Sequence, residues 1–394
     1  MKEKTKQIFS LKLLFFVFGG TNVLIGPFLP LFFIHQGFSA MDVGFIIGIA
    51  SLFGVLSQPI WAYLSDRFNT IKKILLILFI SCLVFSIGMF YSKIMPMVLV
   101  FSILFYLVWS PSMVLIDSLA VMKVASLKTN YGNIRLWSSI GYAGIALIAG
   151  PILELTGIDR LNLIYWFFLI IMMMTILPIQ EQRESSSHAV EIKDLLMLFK
   201  NKEFTWFLGM LFILSIPNGL NSMFSIYMKK LGAGEEIIGF ATTILAASEV
   251  PVFYFLGKYL EKYKEIPLLS VVSILYTLRW TITAFITSPL LLMFFQVSQS
   301  VTFAPLWLIS LQAVVRIVPN HLRSTGQTVL SITSFGVVSI LGNMAGGWLF
   351  QTYGGKIMYL TMGGITTIAA LLFFVTYLWQ KNYRPSIKHD QKFS

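Results

Sequence analysis

The sequence is poor in charged residues and in cysteine. Only 12% of its 394 residues are charged, whereas 57% are hydrophobic; an ordinary soluble domain carries roughly 25% charged residues. The one cysteine, Cys82, lies within an apolar stretch. A single cysteine excludes a disulfide framework and a Cys-x-x-Cys metal or redox motif, so Cys82 is interpreted as a small packed side chain. The composition disfavours a soluble domain.

Signatures of soluble enzymes are also missing. The sequence contains no P-loop, no Gly-x-Ser-x-Gly and no His-Glu-x-x-His motif. The net charge of +12 is distributed over short gaps between apolar runs, whereas a nucleic-acid partner requires a basic face. We therefore predict no enzyme, no cofactor, no metal site and no nucleic-acid partner, and an ATP-driven pump is disfavoured. The histidines all fall in predicted loops or tails, at His35, His188, His321 and His389.

Long apolar runs are what the sequence does contain. About 20 apolar residues, at roughly 1.5 Å per residue, cross a bilayer core of about 30 Å. Twelve such runs predict an all-α membrane protein with twelve transmembrane helices. The first run follows three lysines but lacks a signal-peptide cleavage site, so we expect it to be retained. The predicted spans are 10–34, 41–63, 73–91, 97–121, 133–156, 161–179, 204–228, 236–257, 266–286, 289–314, 327–350 and 357–379.

Basic residues are unevenly shared between the two sides of the predicted bundle. One set of loops and tails carries 22 lysines and arginines, and the opposite set carries five. Since cytoplasmic loops hold the excess of basic residues, both termini are predicted to face the cytoplasm of a plasma (inner) membrane protein. The five on the opposite side are Lys93, Arg160, Lys229, Lys230 and Lys356.

The longest polar interval divides the chain into two halves. We predict a six-helix bundle over 1–180, a cytoplasmic linker over 181–203, a second six-helix bundle over 204–380 and a cytoplasmic tail over 381–394. A weak repeat supports this division, because the acidic–basic pair Asp66 and Arg67 recurs 195 residues later as Glu261 and Lys262. Two pseudo-symmetric halves predict a central cavity between them.

The stretch AYLSDRFNTIKK (Ala62–Lys73) resembles the loop signature of the major facilitator superfamily, with its small residue, Leu-x-Asp-Arg core and basic residues. The resemblance implies the major facilitator fold and a conformational gate at the cytoplasmic helix ends. This gate is predicted to include Asp66, Arg67, Glu261 and Lys262, with Asp66 paired to a basic residue. The alternative is a solvated loop pair. The sequence departs from the signature at Ala62, Asn69, Thr70 and Ile71.

Four ionisable residues are assigned to membrane depth, namely Asp117, Arg135, Glu249 and Arg279. Such residues are costly at membrane depth and normally face the bundle interior or a wet cavity. Asp117 precedes the end of the fourth helix and Arg135 begins the fifth. Because consecutive helices run antiparallel, we expect these two side chains at similar depth.

The segment YGNIRLWSSIGYA (Tyr131–Ala143) resembles the branch of lactose, phenylpropionate and nucleoside permeases. The resemblance implies that Asp117 and Arg135 bind substrate hydroxyls and that Tyr142 stacks on a substrate ring. A guanidinium and a carboxylate can bind hydroxyls or a carboxylate in a low-dielectric cavity. The alternative is a structural pair in which Asp117 and Arg135 neutralise one another.

The second half departs from the sugar permeases of this branch. Their proton-coupling residues fall on Gln296, Gln299 and Thr302, none of which can carry a proton at physiological pH. Proton coupling is therefore assigned to Glu249, where desolvation favours the protonated form. Arg279 opposes this assignment, because pairing with it would fix the negative charge. The two glutamines share a helix face and are expected to line the cavity or to pack between helices.

Three asparagines inside predicted spans, Asn22, Asn218 and Asn221, are further candidates to bind substrate. Interhelical hydrogen bonding is their alternative role. We predict a monomeric secondary transporter in the bilayer that imports a sugar, nucleoside or aromatic acid with a proton. Export of a drug or metabolite is the nearest alternative, although only Gly150 and Pro151 remain of the exporters' helix-five motif. A membrane sensor or scaffold that transports no solute is a further alternative.

Overall fold

The computed structural model describes residues 2–127, 129–179, 197–259, 263–319 and 322–383, and these residues contain helices and no strands. They form twelve long apolar helices, which we number α1 to α12. The first ten are α1 (Lys2–Val23, a π-helical turn Leu24–Phe28 and Leu29–His35), α2 (Ala40–Arg67), α3 (Ile71–Tyr91), α4 (Met95–Leu127), α5 (Tyr131–Thr156), α6 (Leu161–Ile176), α7 (Lys202–Leu220, a 3₁₀ turn Asn221–Met223 and Phe224–Lys230), α8 (Glu235–Tyr259), α9 (Glu265–Phe285) and α10 (Pro289–Phe295, a 3₁₀ turn Gln296–Gln299 and Phe303–Ile317).

The last two helices share one apolar stretch. Helix α11 begins as Arg323–Ser331 and a π-helical turn Ile332–Val337, and it continues into the helical run Val338–Tyr383. The apolar stretch Thr325–Lys381 has 57 residues, which as one straight helix would measure about 85 Å, far more than one bilayer crossing. Gly354, at φ 81° and ψ 170°, interrupts the run, so that α11 ends there and α12 follows. The predicted all-α membrane fold is confirmed.

The helix boundaries differ from the predicted spans mainly at polar ends. Helix α4 runs to Leu127, six residues beyond its predicted end. Helix α7 begins at Lys202, because the Asn201 side chain accepts hydrogen bonds from the backbone N–H groups of Glu203 and Phe204 and caps the helix. Most of the predicted linker and nearly all of the predicted tail lie outside the described residues. The domain boundaries therefore stay predictions.

The alternating helices give the molecule two ends. We call the end that carries Arg67 and Arg316 the basic end, and the end that carries Lys93 and Lys229 the far end. At the basic end, Arg316 lies 2.9 Å from a carboxylate oxygen of Glu265 and 3.5 Å from one of Glu203. This cluster ties α7, α9 and α10 together within the second half of the chain.

Glycines bring the two halves together at the far end. Gly150 of α5 faces Gly239 of α8, and a Cβ atom on Gly150 would lie 2.7 Å from the Glu235 carbonyl oxygen and 3.0 Å from the Gly239 Cα. Gly347 of α11 faces Gly44 of α2, with its hypothetical Cβ 3.0 Å from the Gly44 Cα. Gly44 and Gly239 are 195 positions apart, and Gly150 and Gly347 are 197 apart. The two crossings are thus pseudo-symmetric equivalents in which backbones touch without side chains between them.

A helix cap also joins the halves at the far end. The Glu154 carboxylate, at the end of α5, accepts a hydrogen bond of 2.5 Å from the backbone N–H of Glu235, the first residue of α8. The Glu235 side chain in turn binds Lys229, with 2.7 Å between Oε1 and Nζ. An acidic group is favourable at a helix N-terminus, where unpaired N–H groups carry partial positive charge. Helix α8 is therefore capped by the other half of the molecule.

The predicted conformational gate lies at the basic end. Asp66 and Arg67 are exposed at the end of α2, and within the described part of the chain the Asp66 carboxylate forms no ion pair. Asn69 has a left-handed backbone, with φ 49°, at the position where the family signature commonly has glycine. Their predicted repeat, Glu261 and Lys262, lies outside the described residues, so the gate stays a prediction.

Candidate functional site

Arg279 is the centre of a buried polar network in the second half. Its side chain lies on α9 and only 3% of the residue is exposed. Nη1 donates to Oε1 of Gln299 and, over 3.2 Å, to Oγ1 of Thr302, while Nη2 donates over 3.4 Å to Oε1 of Gln296. The guanidinium carbon also lies 4.3 Å from the centre of the Trp280 ring. The three positions that the sequence comparison with sugar permeases singled out, Gln296, Gln299 and Thr302, thus supply neutral acceptors to this one arginine.

A break in α10 makes this arrangement possible. The 3₁₀ turn Gln296–Gln299 and the three residues after it leave α-helical geometry before the helix resumes at Phe303. A 3₁₀ turn has about 3.0 residues per turn, so positions three apart lie directly above one another. Gln296, Gln299 and Thr302 are spaced by three and therefore all reach the same guanidinium.

Glu249 of α8 lies beside this network and is only partly buried. Its carboxylate lies beside the Gln299 side chain and within electrostatic reach of Arg279. No described ion pair joins Glu249 to Arg279, so the direct pairing that the sequence left open is not formed. Tyr142 of α5 is within electrostatic reach of Glu249. Because α5 belongs to the first half, Glu249 lies where the two halves face each other.

The asparagines of α7 bond to neighbouring helices of their own half. Asn218 donates to the Tyr276 hydroxyl over 3.5 Å, and the Tyr359 hydroxyl donates to Asn221 over 3.1 Å. Asn22 of α1 is half-buried and donates to the backbone oxygen of Phe18 in its own helix, over 2.9 Å. The structure therefore places Asn218 and Asn221 at the edge of the Arg279 network, and Asn22 on the opposite half.

Asp117 and Arg135 meet in the first half, as the antiparallel arrangement predicts. Arg135 Nε lies 3.5 Å from Asp117 Oδ1, and the two side chains are 39% and 32% exposed. Tyr131 donates to the same oxygen of Asp117 over 2.7 Å. The Arg135 guanidinium also lies 5.9 Å from the centre of the Phe15 ring of α1. The Asp117 carboxylate is partly exposed, whereas Arg279 is buried.

The candidate residues occupy two layers. Arg135 and Tyr142 are on the same helix and seven residues apart, which is about 10 Å along the axis. Tyr142 lies at the level of Glu249, so Asp117 and Arg135 lie nearer the basic end. The candidate binding residues thus lie at two depths, about two helical turns apart, and the binding set stays a prediction.

Four aromatic residues of the site were not predicted from the sequence as ligands. Tyr131 bonds Asp117, while Tyr276, Trp280 and Tyr359 enclose Arg279. The ring centroids of Trp280 and Tyr359 are 6.0 Å apart in a stacked arrangement. Trp280 follows Arg279 directly, and Tyr131 is the first residue of the segment that carries the family resemblance. Both residues could therefore have been predicted from the sequence. Tyr276 and Tyr359 carry no such signal, because only the packing of α9 against α12 brings them together.

Comparisons with known proteins cover nearly the whole chain. The model of the MFS_1 like family matches residues 8–361. The chain is 26% identical over 356 residues to the uncharacterized transporter YwbF of Bacillus subtilis (strain 168), covering 88% of each protein. It is 24% identical over 365 residues to the maltose permease of Geobacillus stearothermophilus, covering 91% of each. The crystal structure of nucleoside transporter NupG superposes with a TM-score of 0.81 at 15% identity, covering 96% of this chain and 99% of that one.

Proposed function

Since the chain belongs to the MFS_1-like family and is therefore a multi-pass membrane transporter, we propose that it imports a neutral, hydroxyl-bearing organic solute together with a proton. The two halves would rock about the central site, so that it opens to each side of the membrane in turn. The glycine crossings and the Glu154 cap form when the far end is closed. The opposite state requires these contacts to separate.

The position of Glu249 is the observation that supports proton coupling. It is a carboxylate near the middle of α8, between the halves, and it is not fixed in an ion pair with a described residue. An unpaired carboxylate at membrane depth is stabilised by protonation. Glu249 can therefore bind a proton from one side and release it to the other as the halves rock.

The balance of charge supports a neutral solute. The ionisable residues predicted inside the membrane are two acids and two bases, and each acid lies beside a base. An acidic solute would require an unbalanced cation, yet Arg279 is buried and already donates to three oxygen atoms. A sugar or nucleoside instead needs hydroxyl-binding groups and rings, which Asp117, Arg135 and Tyr142 supply. The names of the maltose permease and of NupG agree with this class.

The proposal is tested first by ligand binding. The purified protein is heated with maltose, uridine or 3-phenylpropionate, because a ligand that binds the folded state raises the apparent melting temperature. We expect stabilisation by maltose or uridine and none by the acid. Radiolabelled solute is then followed in proteoliposomes, where counterflow reports exchange and an imposed pH gradient reports accumulation. Stabilisation by the acid alone, or accumulation that ignores the pH gradient, would contradict the proposal.

Loss of either partner in the first-half pair is predicted to weaken solute binding. Asp117→Asn or Arg135→Gln removes a hydrogen bond to a charged group, which typically contributes about 1.5–3 kcal/mol, and leaves the other charge unpaired. The dissociation constant should rise by roughly 10- to 150-fold, measured by titration of the thermal shift. Ser118→Ala is the matched control, because this hydroxyl bonds the Val114 carbonyl of its own helix. Unchanged affinity in both charge variants would make the pair structural.

Orientation is predicted from the distribution of lysine and arginine. Reporter domains fused after Arg183 and after Ser394 should both be active in the cytoplasm of the host cell. The paired reporter, which is active only outside the cytoplasmic membrane, should be silent at both positions. Activity of the second reporter at either position would refute the predicted orientation.

A further inference from the structure

Gln299 stands between the Glu249 carboxylate and the Arg279 guanidinium. Its Oε1 atom accepts a hydrogen bond from Arg279, and its side chain lies beside the Glu249 carboxylate. Helix α8 packs directly against the 3₁₀ turn that carries Gln299. A primary amide has one carbonyl oxygen and one NH₂ group. Because the oxygen accepts from Arg279, the NH₂ group is the part of Gln299 left to donate to Glu249.

Arg279 does not need Glu249 as a ligand. The side-chain oxygens of Gln296, Gln299 and Thr302 accept its hydrogen bonds, and the Trp280 ring lies against its face. Neutral acceptors and a ring face thus satisfy the cation where a contacting carboxylate would otherwise be expected. The positive charge is retained next to Glu249 without a direct ion pair.

We propose that Gln299 is a neutral spacer that keeps Glu249 and Arg279 apart, so that the carboxylate can bind and release a proton. A direct Arg–carboxylate contact would be bidentate and strongly favour the charged form. An intervening amide weakens that attraction, yet its NH₂ group still donates to the carboxylate when it is charged. Gln299 is in this sense a positioning residue. The inference rests on the proposed function, because it assumes that Glu249 carries the coupled proton.

The groups around Glu249 are consistent with a single titrating site. Tyr142 faces it from α5, and Tyr276 and Arg279 face it from α9. Tyrosine and arginine side chains ordinarily titrate well above neutral pH. A titration step near neutral pH, if one is measured in this cluster, therefore belongs to Glu249.

Two variants test the spacer in proteoliposomes loaded with maltose or uridine. Gln299→Met keeps the length of the side chain and removes the amide. The double variant Glu249→Gln, Gln299→Glu keeps one carboxylate but moves it into direct contact with Arg279. For both we expect accumulation in a pH gradient of one unit to fall from about tenfold to about onefold, while counterflow persists. Ser298→Ala, whose hydroxyl bonds the Phe295 carbonyl of its own turn, is the matched control and should accumulate normally.

If either variant accumulates solute like the wild type, the spacer proposal is overturned. Loss of counterflow in either variant would also overturn it, because exchange requires no proton release. The single variant Glu249→Gln distinguishes failure of the coupling site from failure of the spacer. If it accumulates solute, the proposed coupling site is wrong. If it does not, while Gln299→Met and the double variant do, only the spacer is wrong.

A measurement without solute gives a second test. Apparent melting temperature is recorded against pH for the wild type, Glu249→Gln and the double variant. We expect a titration step in the wild type that is absent from both variants, because a carboxylate in contact with Arg279 stays charged. The same step persisting in the double variant would overturn the spacer, and its persistence in Glu249→Gln would assign it to another group.

Discussion

Replacing Glu249 by glutamine is expected to abolish accumulation of the solute and to leave its exchange intact. Glutamine mimics the protonated side chain, so the variant can complete every step that does not require proton release. A pH difference of one unit is worth about 1.4 kcal/mol per proton, so a symporter that moves one proton should accumulate its solute about tenfold. In Glu249→Gln the ratio should fall to about onefold, measured with radiolabelled uridine or maltose in proteoliposomes.

Counterflow in the same vesicles is the internal control for Glu249→Gln. It requires binding, rocking and release on both sides, but no net proton movement. Glu236→Gln provides a matched substitution on the same helix, since Glu236 is exposed in the first turn of α8 and far from the polar network. Uptake against a gradient by a well-expressed Glu249→Gln variant would rule out this residue as the coupling site.

Replacing Gly150 by valine is expected to stop transport by preventing closure of the far end. The new Cβ atom would lie 2.7 Å from the Glu235 carbonyl oxygen and 3.2 Å from the Glu236 Cα, both of which belong to the other half. Overpacking typically costs about 1–3 kcal/mol, which lowers the population of the closed state roughly 5- to 150-fold. Counterflow, which passes through both states, should fall by a similar factor.

The glycine prediction can be checked by chemical labelling. Thr243→Cys places a thiol on α8 where the native hydroxyl bonds the Ala143 carbonyl of α5, over 3.1 Å, and the native Cys82 is fully buried. A maleimide should label position 243 faster when Gly150→Val is present. Gly209→Val is the matched control, because a Cβ atom there meets nothing within 4 Å. Normal counterflow and unchanged labelling in Gly150→Val would show that the crossing tolerates a side chain.

The sequence predicts the parts of the fold that depend on hydropathy over many residues. Each span averages the apolar character of some 20 residues, so a single polar residue does not hide it. The end of α4 is harder to predict from the sequence, because the helix continues past the apolar run to Leu127 and its last turns contain Lys123. Hydropathy indicates which residues lie inside the membrane, whereas the ends of a helix depend on capping and local hydrogen bonds.

The candidate site is less predictable because it depends on short breaks in helices. The pairing of Asp117 with Arg135 could be predicted from the sequence, since the two residues lie on consecutive antiparallel helices joined by a short loop. The three oxygen ligands of Arg279 could not be predicted, because in an ordinary α-helix positions three apart are offset by about 60°, which would place Gln296 and Thr302 about 120° apart. Only the 3₁₀ turn in α10 aligns them. No residue pattern in that segment marks the turn.

The cap on α8 connects the closing of the far end to the protection of one amide hydrogen. The Glu235 N–H is bonded to Glu154, a residue of the other half, and four unpaired N–H groups begin any helix. When the halves separate, this amide is returned to water and its hydrogen becomes free to exchange with solvent. Deuterium uptake at the first turn of α8 would thus record how often the far end opens, in the unlabelled wild-type protein and without any solute.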